Sequence, residues 1–95
     1  MTNKLATLTT QDNISIITMD DGKANVFSPS MINDVNSCLD QVPTESGCLV
    51  IKGRDGMFSA GFDLKIIGSG DMDAIKDMSL SGFKMLSRLL DFPRP

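Results

Sequence analysis

The stretch Ser59-Ala60-Gly61-Phe62-Asp63-Leu64 is where this chain has the means to act on a ligand through its main chain. Small residues let a substrate approach the backbone closely, and Gly61 permits a φ that other residues resist. If Phe62 opens a short helix, its N–H points outward with the helix dipole behind it, the arrangement that stabilises an oxyanion. One such donor is worth about 3 to 4 kcal/mol of barrier in a well-studied hydrolase. On spacing alone the same six residues also read as an ordinary turn before a helix.

Other chemistries are excluded by composition. The chain has no His, so it cannot by itself supply a Ser-His-Asp triad, a Cys-His pair or a histidine metal site. Glu45 is its single glutamate and sits in the turn-like Val42-Pro43-Thr44-Glu45-Ser46-Gly47. Cys38 and Cys48 lack CxxC spacing and lie in apolar segments, so they read as reduced, buried thiols of a cytosolic protein. Lys23 and Lys65 taken singly read as solvated lysines, and Asp71 and Asp73 as capping or charged-face residues. A net charge of −3 without basic runs argues against a nucleic-acid partner. No basic-then-apolar leader and no stretch near the roughly 20 apolar residues of a membrane span occurs, which predicts a soluble protein that is not exported.

The elements that must hold the candidate loop follow from hydrophobic spacing. At 95 residues and 41% hydrophobic, the chain is built to bury one core. Lys4 to Thr10 and the β-branched Ile14 to Met19 read as a hairpin. After the turn-rich Asp20 to Asn25, Ser28 suits an N-cap and Pro29 a first helical position. Met31, Ile32, Val35, Cys38, Leu39 and Val42 then form one buried helical face up to Pro43. Gly47 to Lys52 is nearly unbroken in apolar residues, as expected of a strand covered on both faces and paired in parallel, giving a βαβ unit. A last helix, Asp71 to about Asp91, is predicted to bury a stripe of Met72, Ile75, Met78, Phe83, Leu86, Leu89 and Leu90, with Arg88 placed favourably for the helix dipole.

Met57-Phe58-Ser59-Ala60-Gly61-Phe62-Asp63-Leu64-Lys65 closely resembles the first oxyanion-hole motif of the crotonase superfamily, the enoyl-CoA hydratase/isomerase proteins. Asp21-Gly22-Lys23-Ala24-Asn25 is similar to that family's turn after its second strand, and Leu89 to Pro95 to its lead-in to the next strand. The resemblance implies an α/β fold, the N-terminal portion of a crotonase-like ββα spiral, in which residues 1–95 form a single incomplete domain. It further implies a lyase or isomerase of fatty acid metabolism, cytoplasmic, assembled as a trimer or a dimer of trimers. The substrate would be an acyl-CoA thioester, with coenzyme A entering only as part of it, and no separate cofactor or metal.

Carried over by position, the resemblance makes Phe62 the first oxyanion donor through its N–H. It turns the carbonyls of Ala60 and Leu64 toward the adenine amino group, places Gly61 and Ala24 in the same binding segments, and sets Lys23 and Lys65 near the phosphates and ribose. Asp63 holds the loop by accepting N–H groups. The family's second donor and catalytic Glu residues would lie beyond position 95, so the chain is expected to be part of a larger protein. The alternative is a non-catalytic CoA-binding or oligomerising module.

Overall fold

The computed structural model describes residues 4–95. Strands β1 (Ala6–Gln11) and β2 (Ile14–Met19) form the expected antiparallel hairpin, with Ala6 opposite Met19 and Gln11 opposite Ile14. Side chains alternate across a strand, so Ser15, Ile17 and Met19 share one buried face of β2, and register sets Ala6 and Leu8 beside Met19 and Ile17 on that face.

Helix α1 (Pro29–Leu39) starts as its sequence dictates. Ser28 Oγ accepts the Met31 N–H at 3.1 Å, and Pro29 occupies a position whose N–H would be unpaired anyway. Met31, Ile32, Val35, Cys38 and Leu39 are buried against β1 and β2. Burying a side chain of this size fully is worth about 1.5 to 3 kcal/mol. The α-helix stops at Leu39 rather than running on to Pro43. Gln41 and Val42 instead donate three residues back, to the carbonyls of Cys38 and Leu39, and this tighter turn still brings Val42 inside.

Strand β3 (Cys48–Lys52) lies parallel to β2, with Ile14 beside Cys48 and Thr18 beside Lys52, so the sheet order is β1-β2-β3 with α1 as the crossover. Cover on both faces of β3 does not occur. Leu49 and Ile51 align with Ser15 and Ile17 on the inner face, whereas Val50 on the outer face is 42% exposed. Two causes combine: β3 is an outer strand, and α1 leans on β1 and β2. Cys48 is half-buried for the same reason, a departure from the buried thiol its setting predicts. Cys38 is buried; burial first and Asp34 second push its thiol above the ordinary range, which makes it a poor nucleophile.

A short helix α2 (Leu64–Gly68) and a long helix α3 (Met72–Leu90) complete the described residues. Asp71 caps α3, accepting the Ala74 N–H at 3.1 Å, with Asp73 in the first turn. The predicted stripe is right for Met78, which is buried, and for Ile75 and Leu89, which are half-buried, and wrong for the other four residues. The buried line is Met78, Gly82 and Met85, while Met72, Phe83, Leu86 and Leu90 are exposed. At 100° per residue the two apolar faces lie roughly 110° apart, so hydrophobicity alone could not rank them. Contact with α1 and α2 selects the line through Gly82.

Arg88 does more than meet a dipole. It reaches Asp40 Oδ1 at 2.7 Å and Asn36 Oδ1 and carbonyl at 3.3 Å, tying the end of α3 to the end of α1. The chain then returns to the outer edge of β3, where the Leu49 N–H donates to the Pro95 carbonyl at 2.7 Å. Among the described residues no helix is long and apolar enough to cross a membrane.

Candidate functional site

Two loops leave the C-terminal ends of the parallel strands β2 and β3, the end where open α/β sheets place ligands. The first, residues 20–28, is organised by Asn25. Its side chain is fully buried: Nδ2 donates to the carbonyls of Met19 at 2.9 Å and Phe58 at 3.2 Å, and Oδ1 accepts the Asp21 N–H at 2.9 Å. Asn25 has φ 52, a left-handed conformation that Asn tolerates better than most residues. One side chain thus fastens the first loop to the second.

Asp21 closes the same turn. Its Oδ1 accepts the N–H groups of Lys23 at 2.7 Å and Asn25 at 3.0 Å, and Oδ2 accepts that of Val26 at 3.3 Å. Burial pushes this carboxyl up, but those three N–H groups and the Arg54 charge outweigh it, leaving the group below the ordinary carboxylate value. Arg54, at the start of the second loop, pairs with Asp20 Oδ1 at 3.1 Å and donates to the Lys23 carbonyl.

The second loop runs beside the first as two parallel rails. The Ala60 N–H donates to the Ala24 carbonyl at 2.9 Å, and the Phe27 N–H to the Gly61 carbonyl at 2.7 Å. Gly61 has φ 91, a conformation that glycine adopts at little cost, and its N–H is accepted by Ser59 Oγ at 3.0 Å. Ala60 and Gly61 therefore have their N–H groups engaged, whereas among the described residues no oxygen accepts the Phe62 N–H.

Phe62 does not open the helix. It lies two residues before α2, and Asp63 is the cap, its Oδ1 accepting the Lys65 N–H at 3.0 Å. Five residues make a short helix, so the dipole adds less behind that donor than the sequence leads one to expect. Asp63 holds the loop by accepting an N–H, as its place in the motif implies.

A cleft of about 330 Å³ opens where the loops meet, lined by Lys23, Ala24 and Lys65 together with Asp21, Val26, Ser28 and Asp63. Three of the six expected ligand-binding positions thus share one wall. Ala60 and Gly61 are on the adjoining loop and Leu64, 76% exposed, is on α2, all outside this lining. The two lysines are balanced by two carboxylates, and both Asp21 and Asp63 are committed to backbone N–H groups. Glu45 is exposed in the loop before β3, whose five residues span about 16 Å at 3.3 Å each, so it stands at the opposite end of the parallel strands.

Sequence reasoning missed three contributors: Asn25 as the link between loops, Arg54 as their brace, and Gly82, which faces the Phe62 ring. Only Gly82 carried a signal, since an isolated glycine inside a helical pattern marks close approach. The Asn25 and Arg54 contacts span 33 and 31 residues and leave no local trace.

Residues 9–95 match the family model described as enoyl-CoA hydratase/isomerase. A probable enoyl-CoA hydratase of Bacillus subtilis (strain 168) is 32% identical over 87 residues, covering 86% of this chain and 33% of the relative. The solved structure of a probable enoyl-CoA hydratase from Mycobacterium tuberculosis superposes with a TM-score of 0.90 at 40% identity, covering 96% of this chain and 39% of that one. A second M. tuberculosis structure, described as an enoyl-CoA isomerase in its apo form, gives 0.88 at 38% identity, covering 97% and 40%. The chain thus spans a third to two fifths of the length of the proteins it matches, and over that span it has the crotonase fold.

Proposed function

The chain belongs to the enoyl-CoA hydratase/isomerase family, and from that premise we propose that it forms the acyl-CoA-binding portion of such an enzyme, with the Phe62 N–H as one donor of an oxyanion hole. The observation that carries this reading is a contrast along the loop: the N–H groups of Ala60 and Gly61 are engaged, whereas that of Phe62, like that of Leu64 at the start of α2, has no acceptor among the described residues. Phe62 stands outside the lining of the cleft, one residue before Asp63 of that lining, and its unengaged amide is available to a thioester oxygen.

In hydration, water adds across the 2,3 double bond of an enoyl-CoA and the thioester oxygen gains negative charge as an enolate. A donor held in place before the reaction stabilises that charge more than it stabilises the neutral carbonyl, and this difference lowers the barrier. Isomerisation passes instead through a dienolate, whose negative charge falls on the same thioester oxygen. The family resemblance puts a second donor and the acid/base carboxylate outside these 95 residues; within them Glu45 stands at the other end of the sheet and no His is present. Lys23 and Lys65 lie near the phosphates and ribose, the carbonyls of Ala60 and Leu64 face the adenine amino group, and Ala24 and Gly61 belong to the same binding segments. The whole protein assembles as a trimer or a dimer of trimers.

Crotonyl-CoA turnover in the full-length protein tests the donor. Phe62→Pro removes the N–H and the ring together, whereas Phe62→Ala removes the ring and keeps the N–H. The proline variant is expected to turn over at least about 10²-fold more slowly than the alanine variant. Equal rates would exclude Phe62 as the donor. The 95-residue chain alone is expected to bind CoA calorimetrically without consuming enoyl absorbance; loss of that absorbance would show that it carries a complete site.

A further inference from the structure

Gly82 lies on the buried line of α3, and a β-carbon at that position would overlap the Phe62 ring, standing 2.8 Å from Cζ and closer still to Cε1. The same β-carbon would be 3.6 Å from Ile32 Cδ1, so the ring sits where α3 meets α1. Phe83 takes the ring edge-to-face, with centroids 6.1 Å apart and planes at 81°. On the other side, the main chain at Phe62 is flanked by the two rails, Phe27 N–H to Gly61 carbonyl and Ala60 N–H to Ala24 carbonyl.

We infer that Gly82 is a positioning residue for the Phe62 N–H: the missing side chain on α3 is the seat of the Phe62 ring, and seat and rails together fix where the amide points. The inference rests on the reading of Phe62 as an oxyanion donor. Glycine is a poor helix former, and alanine is the residue this helix interior would otherwise favour. A methyl group there forces the ring back by roughly 1 Å to reach an ordinary carbon–carbon separation. Phe has only two side-chain torsions and a rigid ring, and Phe83 stands edge-on against it, so the displacement passes to the backbone that carries the N–H.

The test compares full-length wild type, Gly82→Ala, Phe62→Ala, the double variant and Phe62→Pro, by crotonyl-CoA kinetics and thermal melting. Gly82→Ala is expected to lower kcat by about 10- to 100-fold, the scale of a 1 Å misplacement, with KM within about twofold and Tm lowered, because overpacking a filled seat is destabilising. With the ring already gone, adding Gly82→Ala to Phe62→Ala should change kcat by less than about twofold. Wild-type kcat in Gly82→Ala, or the same fold-loss in both backgrounds, would overturn the seat. If Gly82→Ala fails to fold, the double variant should fold because the overlap is absent; its failure would likewise overturn the inference. Phe62→Pro keeps the two failures apart: if it is slow while Gly82→Ala is fully active, the seat alone is wrong, and if it matches Phe62→Ala, the donor reading falls and the inference with it.

Discussion

Asn25→Ala should be among the most destabilising single changes in the two loops, and its cost follows from the hydrogen bonds that the side chain makes. The variant strips partners from the Met19 carbonyl, the Phe58 carbonyl and the Asp21 N–H. Leaving a buried polar group unpaired costs about 1 to 3 kcal/mol. That full amount applies at the Met19 carbonyl, which is buried, and a smaller one at the part-buried Phe58 and Asp21 groups, where water can partly replace the amide. Holding alanine at φ 52 adds about 1 kcal/mol. The expected total is about 3 to 5 kcal/mol, a large share of the 5 to 15 kcal/mol typical of a folded domain.

Urea unfolding of the 95-residue chain reads this loss. With no Trp and no Tyr in the chain, far-UV circular dichroism is the suitable probe. At a slope of about 1.5 kcal/mol per molar, the midpoint should fall by roughly 2 to 3 M. Asn25→Gly loses the same amide but relieves the backbone, so it should recover about 1 kcal/mol of the deficit. A loss under about 1 kcal/mol for Asn25→Ala would refute the idea that this side chain joins the loops.

Acid should act on the same turn through Asp21. Its carboxyl sits below the ordinary value of 3.8 when folded, so the unfolded chain binds the proton more tightly; the stabilisation is present above 3.8 and is lost as pH falls through the lower folded value. Asp21→Asn should flatten this part of the acid limb of a stability-against-pH curve, and an unchanged limb would exclude the assignment. Arg88→Ala should lower stability by no more than about 1 kcal/mol, because its partner Asp40 is largely exposed, and added salt should narrow the gap between variant and wild type. A salt-independent loss above about 2 kcal/mol, well beyond an exposed ion pair, would show that Arg88 acts through buried packing.

Much of the fold was legible because its signals are local. Alternation along β2, the Ser28-Pro29 start of α1, the Asp71 cap and the φ that Gly61 must adopt are each read within a few residues of one another. The parallel β3 followed from an apolar run between turns, but its open outer face did not, since cover depends on where α1 leans. The α3 stripe held for Ile75, Met78 and Leu89 and failed for Met72, Phe83, Leu86 and Leu90 for a related reason: the helix is apolar over a wide arc, and a glycine, which adds nothing to a hydrophobic pattern, marks the face that packs.

The candidate site divides in the same way. Order and spacing along the chain determined which residues form the tight bend, which lysines flank it and which reactions the absent His and the lone Glu45 remove, because residue identity and short-range backbone geometry suffice for those. Only the tertiary structure decided that Lys23 and Lys65 line one cleft, that Asn25 and Arg54 lock the two loops together, and that the Phe62 N–H, unlike those of Ala60 and Gly61, has no acceptor among the described residues. The Gly61 N–H is spent locally on Ser59, but the Ala60 N–H is spent on Ala24, 36 residues back, brought alongside only when β3 lies down parallel to β2 and the loops from both strands meet.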